Sequence, residues 1–304
     1  MSARLAIIEI RCNFTENKHA RNLPSFSGSS GVVLIALCTR SQWSPAAEPA
    51  SPESTKTVRV AGIVLKWIRT DKEANLNRAE QLIREAAAGG AEIVCTTECF
   101  LDGYAIKDKS IPLDEYRSLG EPIPGGAYYQ RLARLADELD IRLIAGMLEA
   151  DGDLRFNTAV LIGPEGELIG KYRKHKLEHE LLRNTPGDEY PVFATEHGNV
   201  GIMICADRRV PNLVEQLCTN GAEILICPSG GMFGPRRNDP IVQSRSKENG
   251  KHIVFVHPAE FLVTGPDGEI VERTILGDRL EVEPSQVDSD LDSRQVFYFD
   301  LPVK

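Results

Sequence analysis

Three polar side chains stand directly after runs of residues that read as buried strands. Glu98 follows Ala91–Thr97, Lys174 follows Glu167–Arg173 and Cys205 follows Gly198–Ile204. In α/β sheets, functional groups concentrate just past strand ends, on loops held by a rigid scaffold. A carboxylate, an ammonium and a thiol brought together have a definite chemistry. A thiol with a pKa of about 8.5 is mostly protonated at neutral pH and needs a base to become a nucleophile. A nearby lysine favours the anionic forms of both acids and can stabilise an oxyanion as charge develops. Taken singly, each residue has a plainer reading. A Glu or Lys at a strand end is usually solvated, and a Cys after an apolar run is usually core.

The elements that must hold these groups can be traced from Val58 onward. Val58–Trp67 is rich in β-branched residues and reads as a strand. Leu76, Ala79, Leu82, Ile83 and Ala86 then recur at helical spacing, stopping at Gly89-Gly90. Leu132, Leu135, Ala136 and Leu139 mark a second amphipathic helix. Residues 141–150, 154–163 and 167–174 follow as consecutive strands, with a Pro164-Glu-Gly166 turn before the last. Two strands around 190–195 and 198–205 precede a helix near 211–220. A strand at 222–230, a helix over roughly 239–249 and a strand at 252–257 come next, and Pro266-Asp-Gly268 opens a final hairpin. Strand–helix alternation with meandering strands in the middle predicts a layered α/β sandwich.

Residues 1–56 read differently and are set aside as an N-terminal extension, leaving 57–304 as the folded domain. Positions 13–31 are polar, and 44–57 have the composition of a disordered linker. Between them lies the apolar run Gly31–Cys38, preceded by Lys18 and Arg21 and followed by Ser44 and Ala46. This is the pattern of a secretory signal, though a long one, and the alternative is translated sequence ahead of the true start. The expected location is cytoplasmic, or exported if that run is a signal.

Composition excludes several function classes. Among 304 residues, 35 Lys and Arg against 44 Asp and Glu give a net charge of −9, with no basic block to grip nucleic acid. No apolar run approaches the roughly 20 residues of a membrane span. The seven cysteines (12, 38, 95, 99, 205, 218 and 227) contain no Cys-x-x-Cys pair, which disfavours a zinc ribbon or a thioredoxin-type motif. A chain of this size does not need a disulfide framework.

The neighbours of the three polar residues complete a pattern. Glu98-Cys-Phe100-Leu-Asp-Gly103-Tyr104 fits E-x-F-x-x-G-Y, Asn157-Thr-Ala159 with Gly170-Lys-Tyr172-Arg173-Lys174 fits N-x-A…G-x-Y-R-K, and Gly201-Ile-Met-Ile-Cys205-Ala-Asp207 fits G-x-x-I-C-x-D. In these segments, and in their order from about Val58 to the C-terminus, the chain resembles the nitrilase superfamily of carbon–nitrogen hydrolases. The resemblance implies a four-layer αββα sandwich, homodimers or larger homo-oligomers, and no metal or organic cofactor. It implies that Cys205 attacks an amide or carbamoyl carbon to form a thioester. Glu98 is then the general acid–base, and Lys174 with the Ala206 N–H stabilises the oxyanion. Ammonia is released, and carbon dioxide too when the substrate is a carbamoyl compound. Glu180, just ahead of Pro186-Gly187-Asp188, takes the place of a second glutamate that positions substrate and lysine; Glu178 competes for that place.

The string Cys205-Ala-Asp207-Arg208-Arg209-Val-Pro211 resembles the N-carbamoyl-amino-acid amidohydrolases, with N-carbamoylputrescine amidases as near relatives. There an arginine can fork onto a substrate carboxylate. Arg208, nearer the nucleophile, is the expected partner, with Arg209 second and a structural salt bridge as the plain alternative. Lys176, Asn212 and His257-Pro258 depart from the family's usual residues, which bears on substrate rather than on chemistry. A non-catalytic binding relative and a nitrilase are the competing functions; nitrilases usually carry Trp-Glu after the cysteine. The helix stripe Leu213, Val214 and Leu217 is expected to contribute to the oligomer contact.

Overall fold

The computed structural model describes residues 56–231, 233–276 and 294–303. The apolar run at 31–38 and its flanking basic and small residues lie outside the described residues. Thirteen strands within the described residues form two sheets. The first runs β13 (Arg294–Pro302), β1 (Thr57–Leu65), β2 (Ile93–Cys95), β4 (Arg142–Asp151), β5 (Leu154–Ile162) and β6 (Leu168–Arg173), with the short β3 (Glu121–Pro122) on β4. The second runs β12 (Ile270–Ile275), β11 (Glu260–Thr264), β10 (Ile253–His257), β9 (Ile224–Pro228), β8 (Gly198–Ile202) and β7 (Val192–Thr195).

Strand alternation assigns the layers. In β1, Val58, Val60 and Val64 pack with Ile202, Ile226, Val254 and Phe261 of the second sheet. The opposite face, Ala61, Ile63 and Leu65, meets helices α1 (Lys72–Ala88) and α3 (Ala127–Leu139) through Leu76, Ile83, Leu132 and Ala136. On the far side, α4 (Pro211–Thr219) and α5 (Pro235–Asn249) cover the second sheet through Leu213, Val214, Leu217 and Val242. The order is therefore helix, sheet, sheet, helix: the αββα sandwich. β1 and β2 are buried on both faces, which is why they read as continuous apolar runs.

The helix boundaries have local causes. Asp71 Oδ1 accepts from Ala74 N at 2.9 Å and caps α1, and Gly89 closes it. Helix α5 begins four residues before the sequence boundary at 239, because Pro235 supplies its first position and Pro240 is accommodated one turn in. Strand β2 is only three residues long, since the chain leaves the sheet at Thr96 to reach Glu98. The short α2 (Leu113–Ser118), β3 and β13 were not apparent in the sequence, whereas β11 and β12 form the hairpin expected around Pro266-Asp-Gly268.

One expectation is corrected here. Leu213, Val214 and Leu217 are not available for an oligomer contact, because all three are buried within the protomer against β9, β10 and β11. Their helical spacing marks the inward face of α4. No described helix is long and apolar enough to cross a membrane.

Gly62, in the middle of β1, lets the two sheets approach. A Cβ there would stand 2.3 Å from Phe261 Cδ2 and 3.2 Å from Val256 Cγ2. Gly62→Ala is accordingly expected to destabilise by about 1–3 kcal/mol through overpacking. Urea unfolding checks this, and an unchanged midpoint would contradict such tight contact.

Candidate active site

Glu98 is carried by a segment that bridges the sheets. Thr96 N donates to Ile144 O on β4 at 2.9 Å, while Glu98 N donates to Ser229 O, just past β9, at 3.2 Å. The segment lies flat on β4 because residue 146 is glycine; a Cβ there would stand 2.6 Å from Thr97 O. Cys99 follows in the left-handed region at φ 46°, a conformation that costs a non-glycine residue free energy and must be held by its surroundings. Lys174 continues β6, its N donating to Asn157 O of β5 at 2.9 Å.

Cys205 opens a tight 3₁₀ turn over Cys205–Arg209 and is itself at φ 48°. Asp207 locks this turn. Its Oδ2 accepts from Ile204 N at 3.0 Å and from Tyr172 OH at 2.8 Å, and its Oδ1 accepts from Lys176 N at 2.7 Å. The aspartate two residues after the cysteine is thus a brace for the turn that presents the thiol.

The acidic and basic groups meet in one buried cluster. Lys174 Nζ donates to Glu98 Oε1 at 2.6 Å and to Glu180 Oε1 at 2.5 Å. Asn157 Nδ2 donates to Glu98 Oε1 at 2.8 Å and to Glu180 Oε2 at 3.1 Å, tying the two carboxylates together. Glu98 Oε2 accepts from Gly230 N at 2.8 Å. Glu180 Oε2 also accepts from Asn184 Nδ2 at 3.2 Å, and Asn184 is fixed in turn by Tyr116 OH at 2.6 Å. Gly230 and Gly231 join this cluster to the thiol: a Cβ on Gly231 would stand 3.0 Å from Cys205 Sγ. Carboxylate and thiol therefore flank the same glycine pair.

Electrostatics separates the capacities of these groups. Burial works against the Lys174 ammonium, but Glu180 and then Glu98 outweigh it and hold the lysine well above its ordinary range. Such a lysine is a fixed cation, unable to serve as a base. Burial pushes the Cys205 thiol up, and the Glu98 charge adds to this, against the pull of Lys174 and Arg208. The resting thiol is protonated. Burial also raises the Glu180 carboxyl against Lys174, with Glu98 reinforcing the rise.

The cluster opens on a small pocket at the surface, lined by both apolar and charged side chains. Tyr104, Leu177 and Phe233 give it apolar walls, and Ala206 lies beside Cys205. The residues singled out in the sequence take distinct places. Glu98, Lys174, Glu180 and Cys205 are brought together at this pocket. Glu178, the competitor of Glu180, sits on the wall and pairs with Arg209 at 2.7 Å. Both arginines line the pocket; Arg209 is half-exposed, whereas Arg208 is 3% exposed. The sequence assigned no role to Asn157, although it lay inside a quoted motif, nor to Asn184, Tyr116 or the Gly230-Gly231 pair. Only the Asn157-x-Ala spacing hinted at any of them. The five described cysteines are free, and no cluster of three or more His, Cys, Asp or Glu side chains fit to hold a metal occurs among the described residues.

Comparison with known proteins bears on this site. The carbon–nitrogen hydrolase family model matches residues 58–288. The human omega-amidase NIT2 is 31% identical over 264 residues, covering 78% of this chain and 90% of that protein. A nitrilase from Pyrococcus abyssi is 34% identical over 174 residues, covering 57% and 64%. Among solved structures, Saccharomyces cerevisiae Nit3, a member of branch 10 of the nitrilase superfamily, superposes with a TM-score of 0.68 at 26% identity, over 81% of this chain and 90% of its own. An amidase from Nesterenkonia sp. superposes at 0.65 and 21% identity, over 82% and 92%, a likeness of fold. On the family match and the relatives together, the chain belongs to the carbon–nitrogen hydrolase family of the nitrilase superfamily.

Proposed function

We propose that this chain is a thiol amidohydrolase acting on a small linear amide or N-carbamoyl compound whose far end carries a carboxylate. The observation that carries the proposal is the buried Glu98–Lys174–Glu180 cluster beside Cys205, in a pocket whose rim holds Arg209. Since Lys174 is a fixed cation, the proton of the thiol goes to Glu98. The sulfur attacks the carbonyl carbon, and the oxyanion that develops is met by the Lys174 charge and the Ala206 N–H. As the C–N bond breaks, Glu98 returns its proton to the nitrogen, and ammonia leaves behind a thioester. Water then gives a proton to Glu98 and attacks the thioester carbon. The sulfur departs and regains its proton, freeing the acid. From a carbamoyl substrate the products are ammonia, carbon dioxide and an amine.

Two features support the acidic tail. Arg209 lines the pocket and, among the described residues, pairs with Glu178, an exposed pair that a substrate carboxylate can replace at little cost. The similarity to proteins named omega-amidases adds weight to amides as the substrate class. N-carbamoyl amino acids, favoured by the paired arginines of the sequence, present the same carboxylate. A carbamoylated amine is the second reading, and Glu178 on the same wall is the group that favours it.

The test is ammonia release from four substrates: a dicarboxylic acid monoamide, an N-carbamoyl amino acid, an N-carbamoyl amine and a simple aliphatic amide. The acid-tailed compounds are expected to lead. Arg209→Met should then raise their KM about ten- to a hundredfold, since a charge-assisted bond contributes about 1.5–3 kcal/mol and each 1.4 kcal/mol is a factor of ten. The kcat should stay within a few-fold, because the tail contact is common to ground and transition states. Faster turnover of the amine-tailed compound would overturn the carboxylate assignment and leave Glu178 as the reader.

A further inference from the structure

Arg208 was expected to reach substrate, but its side chain is committed elsewhere. Nη1 donates to the Cys205 carbonyl oxygen and lies 3.6 Å from Cys205 Sγ. Nη2 donates to Asn238 Oδ1 at 2.5 Å, and Asn238 is itself anchored by its Nδ2 on Phe233 O at 2.6 Å. The guanidinium also lies over the Phe255 ring, 5.2 Å from its centroid. Both ends of the fork are thus used to hold the turn that bears the thiol.

The charge balance of the cluster gives this arrangement a purpose. Glu98 and Glu180 both pair with the one ammonium of Lys174. Moving the thiol proton to Glu98 leaves the total charge unchanged but shifts one negative charge onto the sulfur, away from the Lys174 ion pair. Arg208 supplies the second cation. Once the proton has moved from sulfur to Glu98, Lys174 and Arg208 are the cations that act on the thiolate. The groups behind Arg208 do not cancel its charge. Burial and the Arg208 cation press His257 down to about 3, so it is neutral, and burial, with Asp239 adding to it, holds the Glu260 carboxyl well above its ordinary range. Tyr104 and Cys227, near the sulfur, are pushed upward by burial, and so is the Asp207 carboxyl in the same turn, against the pull of Lys174.

We infer that Arg208 is a positioning residue for the nucleophile, clamping the Cys205 carbonyl and standing as the counter-cation of the thiolate, and that it does not read the substrate tail. This rests on the reading of Cys205 as nucleophile. The role belongs to the guanidinium geometry, because one planar fork spans the carbonyl, the sulfur and Asn238, which an ammonium cannot do.

The experiment is the pH profile of Cys205 alkylation by iodoacetamide, followed by peptide mass mapping, in wild type, Arg208→Met, Arg208→Lys and Asn238→Ala. In this probe reaction the thiolate sulfur displaces iodide, and no substrate tail is involved. Losing an opposite charge at this range should move the midpoint up by about one pH unit, a tenfold slower reaction below it. Arg208→Lys should recover part of the shift, and Asn238→Ala, which frees one end of the fork, should show a smaller shift in the same direction. Should Arg208→Met fail to fold, the other two variants carry the result. A midpoint that stays put in the folded variants, with KM rising only for acid-tailed substrates, would overturn the inference and make Arg208 the tail reader. Retained turnover in Cys205→Ala would instead defeat the underlying reading, whatever the alkylation profiles show.

Discussion

Cys205→Ala is expected to lose at least about a thousandfold in kcat, because removing a covalent nucleophile leaves only what binding and oxyanion stabilisation contribute. No neighbour can stand in. Cys99, the thiol closest in sequence to Glu98, is fully buried, and its Sγ donates to Asn157 Oδ1 at 3.3 Å. Cys227 lies in strand β9, its thiol pushed up to about 12 by burial. The fold should survive. Alanine carries the same Cβ as cysteine at φ 48°, so the backbone strain is unchanged, and the contact from Arg208 to the residue 205 carbonyl is retained. Ammonia release and far-UV circular dichroism check the two halves of this expectation. Activity above one hundredth of wild type, on a folded variant, would contradict it.

Glu98→Gln should be nearly as damaging, since positioned general acid–base catalysis typically supplies about 10²–10⁴-fold. The substitution keeps the shape and loses the proton shuttle. Its one carbonyl oxygen can accept from Lys174 and Asn157, as Oε1 does now, but the amide NH₂ then faces the Gly230 N–H, donor against donor. Turning the amide over moves the conflict to Lys174. Either way a buried donor is left unmet, at a cost of about 1–3 kcal/mol, which the fold can absorb while Glu180 still holds the lysine. Both steps of the reaction should slow, acylation for want of a base and hydrolysis for want of water activation. A loss of tenfold or less would reduce Glu98 to an orienting group.

The parts of this molecule legible in the sequence were those governed by local pattern. The strand-end positions of Glu98, Lys174 and Cys205, the apolar stripe of α1, and the turn at Pro266–Gly268 are all set by residues close together in the chain. What escaped depends on distant partners. Asn157 ties Glu98 to Glu180 across separations of 59 and 23 residues, so nothing beside it announces the task. Strand β13 pairs with β1 from Thr57↔Pro302 to Leu65↔Arg294, a partnership more than two hundred residues apart. The stripe of α4 shows its period plainly, but period cannot say whether its apolar side meets a sheet of the same chain or another protomer. Arg208 and Arg209 are adjacent in sequence, and the tight turn after Cys205 sends one inward to Asn238 and the other outward to Glu178.

Cys205, in the pocket beside Glu98 and Lys174, is proposed as the group that attacks small amides. Chloroacetamide, a neutral amide with a displaceable chloride, tests it most directly when labelling and turnover are followed in the same sample. One equivalent of carbamidomethyl is expected on Cys205, appearing at the rate at which ammonia-releasing activity is lost and slowed by an acid-tailed amide substrate. Full activity in protein alkylated at Cys205, or inactivation that tracks labelling of Cys218 or Cys99 instead, would contradict it.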